Sequence, residues 1–256
     1  LLDAGRVANV SGYGYHFDAV VEFDLTVGII LAALDKRGLA DSTIVVLTSD
    51  HGQDCDWEHV LAKAVVCPAV YARDGERSFD FFNGVRGYKK QLYEGGLHVP
   101  LWVRWPGRVA PGVSTATTAS VDYVRTLLGM LKIEPPPNQA VDSTDLSLEW
   151  TAATPPARSR RTVFVATLAR QIVVRIGDRK GHFQLKAYTC WFNQTKPLDP
   201  SCFQALALYD LKYDPLEMSN VLRATGVMRP DQPEVYRMRE ALVRTVNTLA
   251  PPIDLS

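Results

Sequence analysis

An aspartate and a histidine stand side by side in Ser49-Asp50-His51-Gly52, directly after an apolar run. A carboxylate and an imidazole at the end of a buried strand can both reach a metal ion at a sheet edge. The same four residues also suit a plain turn, in which Asp50 caps the next segment and Gly52 takes a left-handed conformation. A second group is Lys89-Lys90-Gln91-Leu92-Tyr93-Glu94-Gly95-Gly96. Lysine offers a compact cation to an oxyanion, and paired glycines let backbone approach closely or adopt positive φ. Read blandly, it is a solvated basic stretch followed by a glycine turn. The third, Leu208-Tyr209-Asp210-Leu211-Lys212-Tyr213-Asp214-Pro215-Leu216-Glu217, reads as a strand ending in an Asp-Pro turn, and its expected job is structural.

The elements that must hold these groups follow from periodicity. Phe17, Val20, Val21, Val27, Leu31 and Leu34 recur on one face of a helix over 17–37, and Gly38 stops it. The run Thr43–Ser49 is short, apolar and β-branched, as for a strand buried on both faces of a parallel sheet. Helix, turn and strand make half of an α/β crossover unit, and open α/β sheets place ligands at the C-terminal strand edge, where Asp50 and His51 emerge. A short helix near Trp57–Val66, a buried strand at Val99–Trp105 stopped by Pro106-Gly107, and a helix at Val121–Leu131 follow. Residues 134–161, rich in Pro, Thr, Ser and Ala, suit the link between two domains, 1–150 and 151–256. Beyond it, Val163–Thr167, Gln171–Ile176, Phe183–Tyr188 and Leu206–Leu211 are strands in series, which suggests a small antiparallel sheet. Glu234–Leu249 closes the chain as a helix.

Taken in order, Gly38-Leu39-Ala40-Asp41, the strand through Gly52, Tyr93-Glu94-Gly95-Gly96-Leu97-His98-Val99-Pro100, Trp105-Pro106-Gly107 and Leu208–Glu217 resemble the sulfatase family. The resemblance is patchy but covers most of the chain, and Asp199-Pro200-Ser201-Cys202 is similar to its arylsulfatase A branch. It implies an α/β fold like that of alkaline phosphatase: part of a large α/β domain, then a small C-terminal antiparallel sheet with a helix. It also implies hydrolysis of sulfate esters, on small molecules or sulfated glycans, by a hydrated formylglycine made from a Cys/Ser-x-Pro-x-Arg motif and held by one calcium ion. On this resemblance Asp50 and His51 are metal ligands, the latter at a position often Asn and sometimes His. Lys89, rather than Lys90, is the catalytic and sulfate-binding lysine. His98, where many relatives carry Arg, is a substrate contact or a structural residue.

The departures are specific. No cysteine or serine of the 256 residues stands in Cys/Ser-x-Pro-x-Arg. The family's paired aspartates and upstream catalytic histidine are missing too, and His16 lies too close to the helix start to replace the latter. At most two protein ligands remain for a calcium ion that takes six to eight oxygens. The chain is therefore expected to be a shortened sulfatase that binds metal poorly and turns over little or nothing alone, with an unpaired sheet edge that favours aggregation. A zinc phosphoester hydrolase of the same superfamily, suggested by Asp-His-Gly, and a non-catalytic relative are the alternatives.

Composition is that of a globular protein, with 46% hydrophobic and 22% charged residues. Lys+Arg and Asp+Glu number 28 each, so net charge gives no reason to expect nucleic acid or an anionic membrane as partner. No run is long enough to span a bilayer. Cys55, Cys67, Cys190 and Cys202 allow two disulfides in any of three connectivities. With sequons at Asn9 and Asn193, they fit a secreted, lysosomal or periplasmic protein.

Overall fold

The computed structural model describes residues 7–12, 15–52, 85–152, 162–166, 171–186, 199–223 and 232–249. The helix expected at Trp57–Val66, three of the cysteines and the Asn193 sequon lie outside them. The chain divides into two compact units: Leu1–Gln91 with Gly95–Ala110, and Leu92–Glu94 with Pro111–Ser256.

In the first unit α1 (Tyr15–Lys36) forms as the periodicity requires. It ends in a Schellman motif: Gly38 at φ 65 donates its N–H to Asp35 O (3.0 Å), and Leu39 N–H reaches Leu34 O (2.9 Å). Val21, Val27, Leu31 and Leu34 are half-buried, but Val20, Phe23, Leu25, Ile29 and Ile30 are exposed, so apolar surface runs around much of the helix.

A 3-10 turn (Ala40–Ser42) leads into β1 (Val45–Thr48), which pairs with β2 (Leu101–Arg104). The pairing is antiparallel, Val45 opposite Arg104 and Thr48 opposite Leu101, and β1 is half-buried throughout. This corrects the expectation of a parallel strand buried on both faces. An apolar, β-branched run specifies a strand, but it does not specify the direction of its neighbour. At the end of β2, Trp105 Nε1 donates to Asp41 O (2.9 Å) and Arg104 Nη2 lies 3.6 Å from Asp35 Oδ1. Gly107 at φ 71 then turns the chain, and Val109 N–H returns to Trp105 O.

After a short helix α2 (Glu94–Leu97), the second unit holds α3 (Tyr123–Leu131), α4 (Ser147–Thr151) and a meander of β3 (Thr162–Ala166), β4 (Gln171–Ile176), β5 (Arg179–Leu185) and β6 (Phe203–Asp210). All its pairs are antiparallel, as expected. The stretch expected to contain a linker carries α4 and the buried Leu146 and Trp150. Thr126 Oγ1 takes the Leu146 N–H (3.1 Å) and Asp122 Oδ1 the Thr144 N–H (3.0 Å), which ties this segment to α3.

One face of the meander carries the core: Ile172, Val174, Phe183, Leu185, Phe203, Ala205 and Leu208 pack with Val235, Met238 and Leu242 of the closing helix α5 (Pro233–Leu249). Gly181 makes this close approach possible, because a Cβ there would lie 2.7 Å from Met238 Sδ. β5 begins four residues before its expected start, at Arg179 rather than Phe183. The cause is a buried charge cluster on the sheet's other face, described below.

Candidate active site

The Asp50–Gly52 edge and the Gly95-Gly96 pair meet in the first unit. Gly52 N–H donates to Gly96 O at 3.0 Å, and a Cβ on Gly52 would strike the Gly95 carbonyl. Gly95 N–H donates to Arg86 O (2.7 Å), and a Cβ on Gly95 would strike the Gly87 carbonyl. A Cβ on Gly96 would meet the Gln91 and Tyr88 carbonyls. Bare backbone at all three positions is what allows these strands of chain to touch.

Between them, Gln91 N–H closes a turn onto Tyr88 O (2.9 Å) with Lys89 and Lys90 at its corner. Lys90 takes the left-handed position (φ 73) and is exposed, while Lys89 is half-buried. Lys89 is thereby set on a turn whose following residues lead to the glycine pair. His98, just past α2 (Glu94–Leu97), is exposed.

At the strand end Asp50 is 81% exposed and His51 37%. Asp50 Oδ1 accepts the His51 N–H (3.0 Å), and Ser49 Oγ donates to His51 O (2.8 Å). His51 Nε2 lies 3.1 Å from Asp50 Oδ2, and its Nδ1 lies 2.8 Å from Gly52 O. Both ring nitrogens thus face oxygens of the same turn. Among the described residues no group of three or more His, Cys, Asp or Glu could hold a metal ion. One carboxylate and one imidazole do not make a calcium site, so the described residues do not fit that ion by themselves.

The second unit contains a cluster that sequence reasoning missed. Lys180, 1% exposed, reaches Glu94 Oε1 (2.8 Å) and Glu217 Oε1 (3.0 Å). Arg175 Nη1 lies 3.5 Å from Glu94 Oε2, and His182 Nε2 lies 3.2 Å from Glu217 Oε1. Glu217, fully buried, also accepts the Glu94 N–H through Oε2 (2.6 Å). Tyr93 lies over His182 with ring centroids 4.9 Å apart, and Tyr209 meets the same imidazole edge-on at 5.4 Å. Arg175 and Lys180 are direct cross-strand partners, a like-charge pairing that would repel without the Glu94 carboxylate to which both are joined. The available signal was the set of charged and polar residues in Arg179-Lys180-Gly181-His182, which reads as a turn unless counter-charges cover it. Those counter-charges lie in two segments already singled out, Tyr93–Gly96 and Leu208–Glu217.

The chain is similar to known proteins over most of its length. The family model described as Sulfatase matches residues 5–133. An N-acetylgalactosamine-6-O-sulfatase of Bacteroides thetaiotaomicron is 29% identical over 256 residues, covering 95% of this chain and 44% of the relative. Human arylsulfatase A is 28% identical over 250 residues, covering 92% and 44%. Rat steryl-sulfatase is 37% identical over 140 residues, covering 54% and 22%. A solved structure from a Bacteroides thetaiotaomicron locus for glycosaminoglycan metabolism superposes with a TM-score of 0.69 at 26% identity, over 95% of this chain and 46% of its own. A sulfatase from Pseudoalteromonas, at 22% identity and a TM-score of 0.60, matches in fold over 92% of this chain and 43% of its own. The chain therefore spans less than half the length of each of these relatives.

Proposed function

The chain belongs to the sulfatase family, and from that premise we propose that it forms part of a sulfuric ester hydrolase, with Lys89 binding the sulfate group. The observation that supports this most is the juncture of Asp50–Gly52 with Gly95-Gly96 beside the lysine turn, all within the matched residues. Hydrolysis of a sulfate ester breaks an S–O bond, leaving sulfate and an alcohol. A fixed cation at the sulfuryl oxygens stabilises the charge that gathers there, and a preorganised charge in a partly dry site does so better than water. Lys89 is the proposed cation. Asp50 and His51 are proposed as the share of a metal edge that this chain contributes, and His98 as a substrate contact.

The nucleophile has no counterpart among the 256 residues, since Cys/Ser-x-Pro-x-Arg is absent. Hydrolysis thus requires that group from sequence outside them, and the 256-residue chain by itself is expected to be inactive. The proposed substrates are sulfated glycans or small sulfate esters, in line with the names of the relatives. Cys202 is disulfide-bonded, which supports an oxidising compartment such as the cell exterior, lysosome or periplasm. No described helix is long and apolar enough to cross a membrane.

The test is aryl-sulfate hydrolysis by the native protein from its source, compared with Lys89→Ala and Lys90→Ala. Loss of Lys89 should lower kcat by about 100- to 1,000-fold, the usual effect of removing one charge-stabilising donor. Lys90→Ala should leave the rate near normal. Equal effects of the two substitutions would remove Lys89 from the proposed role.

A further inference from the structure

The sequon Asn9-Val10-Ser11 lies in the first unit and has no part in the sulfate chemistry proposed above. Asparagine followed two residues later by serine, with no proline between, is the acceptor pattern for N-linked glycans. The pattern often arises by chance, so its surroundings decide. Asn9 is exposed in a turn that Val10 N–H closes onto the carbonyl of the buried Val7 (3.2 Å). Its φ of 63 is one that asparagine adopts more readily than most residues. The backbone of the turn is tied down, since the Asn9 N–H donates to Asp18 Oδ2 (2.7 Å). Around it there is room for a bulky group. Val10 is 59% exposed, and a Cβ added to Gly12 would meet nothing within 4 Å. The disulfide at Cys202 suits the oxidising compartment in which such glycans are added.

Ser11 sets the order of events. Its hydroxyl donates to Asp18 Oδ1 at 2.6 Å, and its N–H reaches the same oxygen at 2.9 Å. An enzyme that reads the sequon must engage that hydroxyl, so its substrate is the chain before this turn docks on α1. We propose that Asn9 carries an N-linked glycan, added before Asp18 closes on Ser11. The donor is a lipid-diphosphate-linked oligosaccharide. A bond forms between Asn9 Nδ2 and C1 of the first sugar, the bond from C1 to the diphosphate breaks, the lipid diphosphate leaves, and the amide gives up one proton.

Peptide mapping of the native protein from its source tests this. Trypsin cuts after Arg6 and after Lys36, and Asn9 is the only asparagine in the fragment 7–36. That fragment should carry a glycan, and peptide N-glycosidase in 18O-water should convert Asn9 to labelled aspartate. Asn9→Gln and Ser11→Ala should each abolish the label, whereas Ser11→Thr keeps the hydroxyl and should retain it. Asp18→Asn weakens the folded turn but leaves the sequon, so it should retain the label as well, scored on all of the chain made. A native fragment 7–36 found only at its unmodified mass would overturn the proposal and leave Asn9 a turn residue. Loss of the label in Asp18→Asn would overturn the order of events, since the transfer would then need the folded turn. The readout is independent of catalysis: an active sulfatase with a bare Asn9 would sink this inference alone, and a glycosylated protein without sulfatase activity would sink only the functional reading.

Discussion

Asp18 illustrates how much one side chain does at the margin of this fold. Its carboxylate takes the Ser11 hydroxyl (2.6 Å), the Ser11 N–H (2.9 Å) and the Asn9 N–H (2.7 Å), holding the preceding turn against the first turn of α1. Those bonds, the Ser11 hydroxyl first, hold the Asp18 carboxyl below the 3.8 of a free aspartate. A folded-state value below the unfolded one means that the stabilisation is complete above pH 3.8 and is lost as pH falls further through the folded value. An acid titration followed by amide signals should show the Asn9 and Ser11 N–H groups released in that range, and Asp18→Asn should abolish the transition. A release centred above pH 3.8 would contradict the hydrogen-bond account. At this scale the sequence was informative about place, since Asp50 and His51 do follow the end of a strand. It was silent about Glu217, because a glutamate after an Asp-Pro turn looks solvated until Lys180 and Glu94 are seen against it.

Elements were legible wherever local patterning governs them. The Schellman glycine fixed the end of α1, and Pro106-Gly107 stopped β2 within a residue or two of expectation. What local pattern does not encode is which face a neighbour will cover. Arg179-Lys180-Gly181-His182 extends β5 because Glu94 and Glu217 neutralise one face while α5 packs on Gly181 from the other. The direction of β2 against β1 was likewise beyond a four-residue apolar run. The glycine juncture gives a test at this scale. Gly52→Ala puts a methyl group into the Gly95 carbonyl, with backbone on both sides and no side-chain end that can give way. It should destabilise the first unit by about 1–3 kcal/mol, the usual cost of overpacking, seen as a lower melting temperature. The same substitution at Gly28, which has open space around it, should raise helix stability slightly. A tolerated Gly52→Ala would mean that the two segments are not held together as described.

For the whole molecule, α1 and the β1–β2 pair stand apart from the sheet unit in the character of their surfaces. α1 is apolar on several sides and Trp102 of β2 is 61% exposed, whereas the meander is covered on both faces. A helix with apolar residues around most of its circumference belongs inside a larger core, in keeping with relatives more than twice as long as this chain. The family and the order of its segments were readable because they rest on short motifs. The substrate was not, because the glycan or aryl group of a sulfate ester is recognised by side chains that no motif here specifies. The most direct test of the central claim is intact mass and peptide mapping of the native protein, with aryl-sulfate hydrolysis measured on the same sample. The account predicts an active protein that contains these 256 residues and also a formylglycine-bearing peptide from sequence outside them. A native protein made of these residues alone that nevertheless hydrolyses sulfate esters would contradict it, as would a longer one with the formylglycine but no such activity.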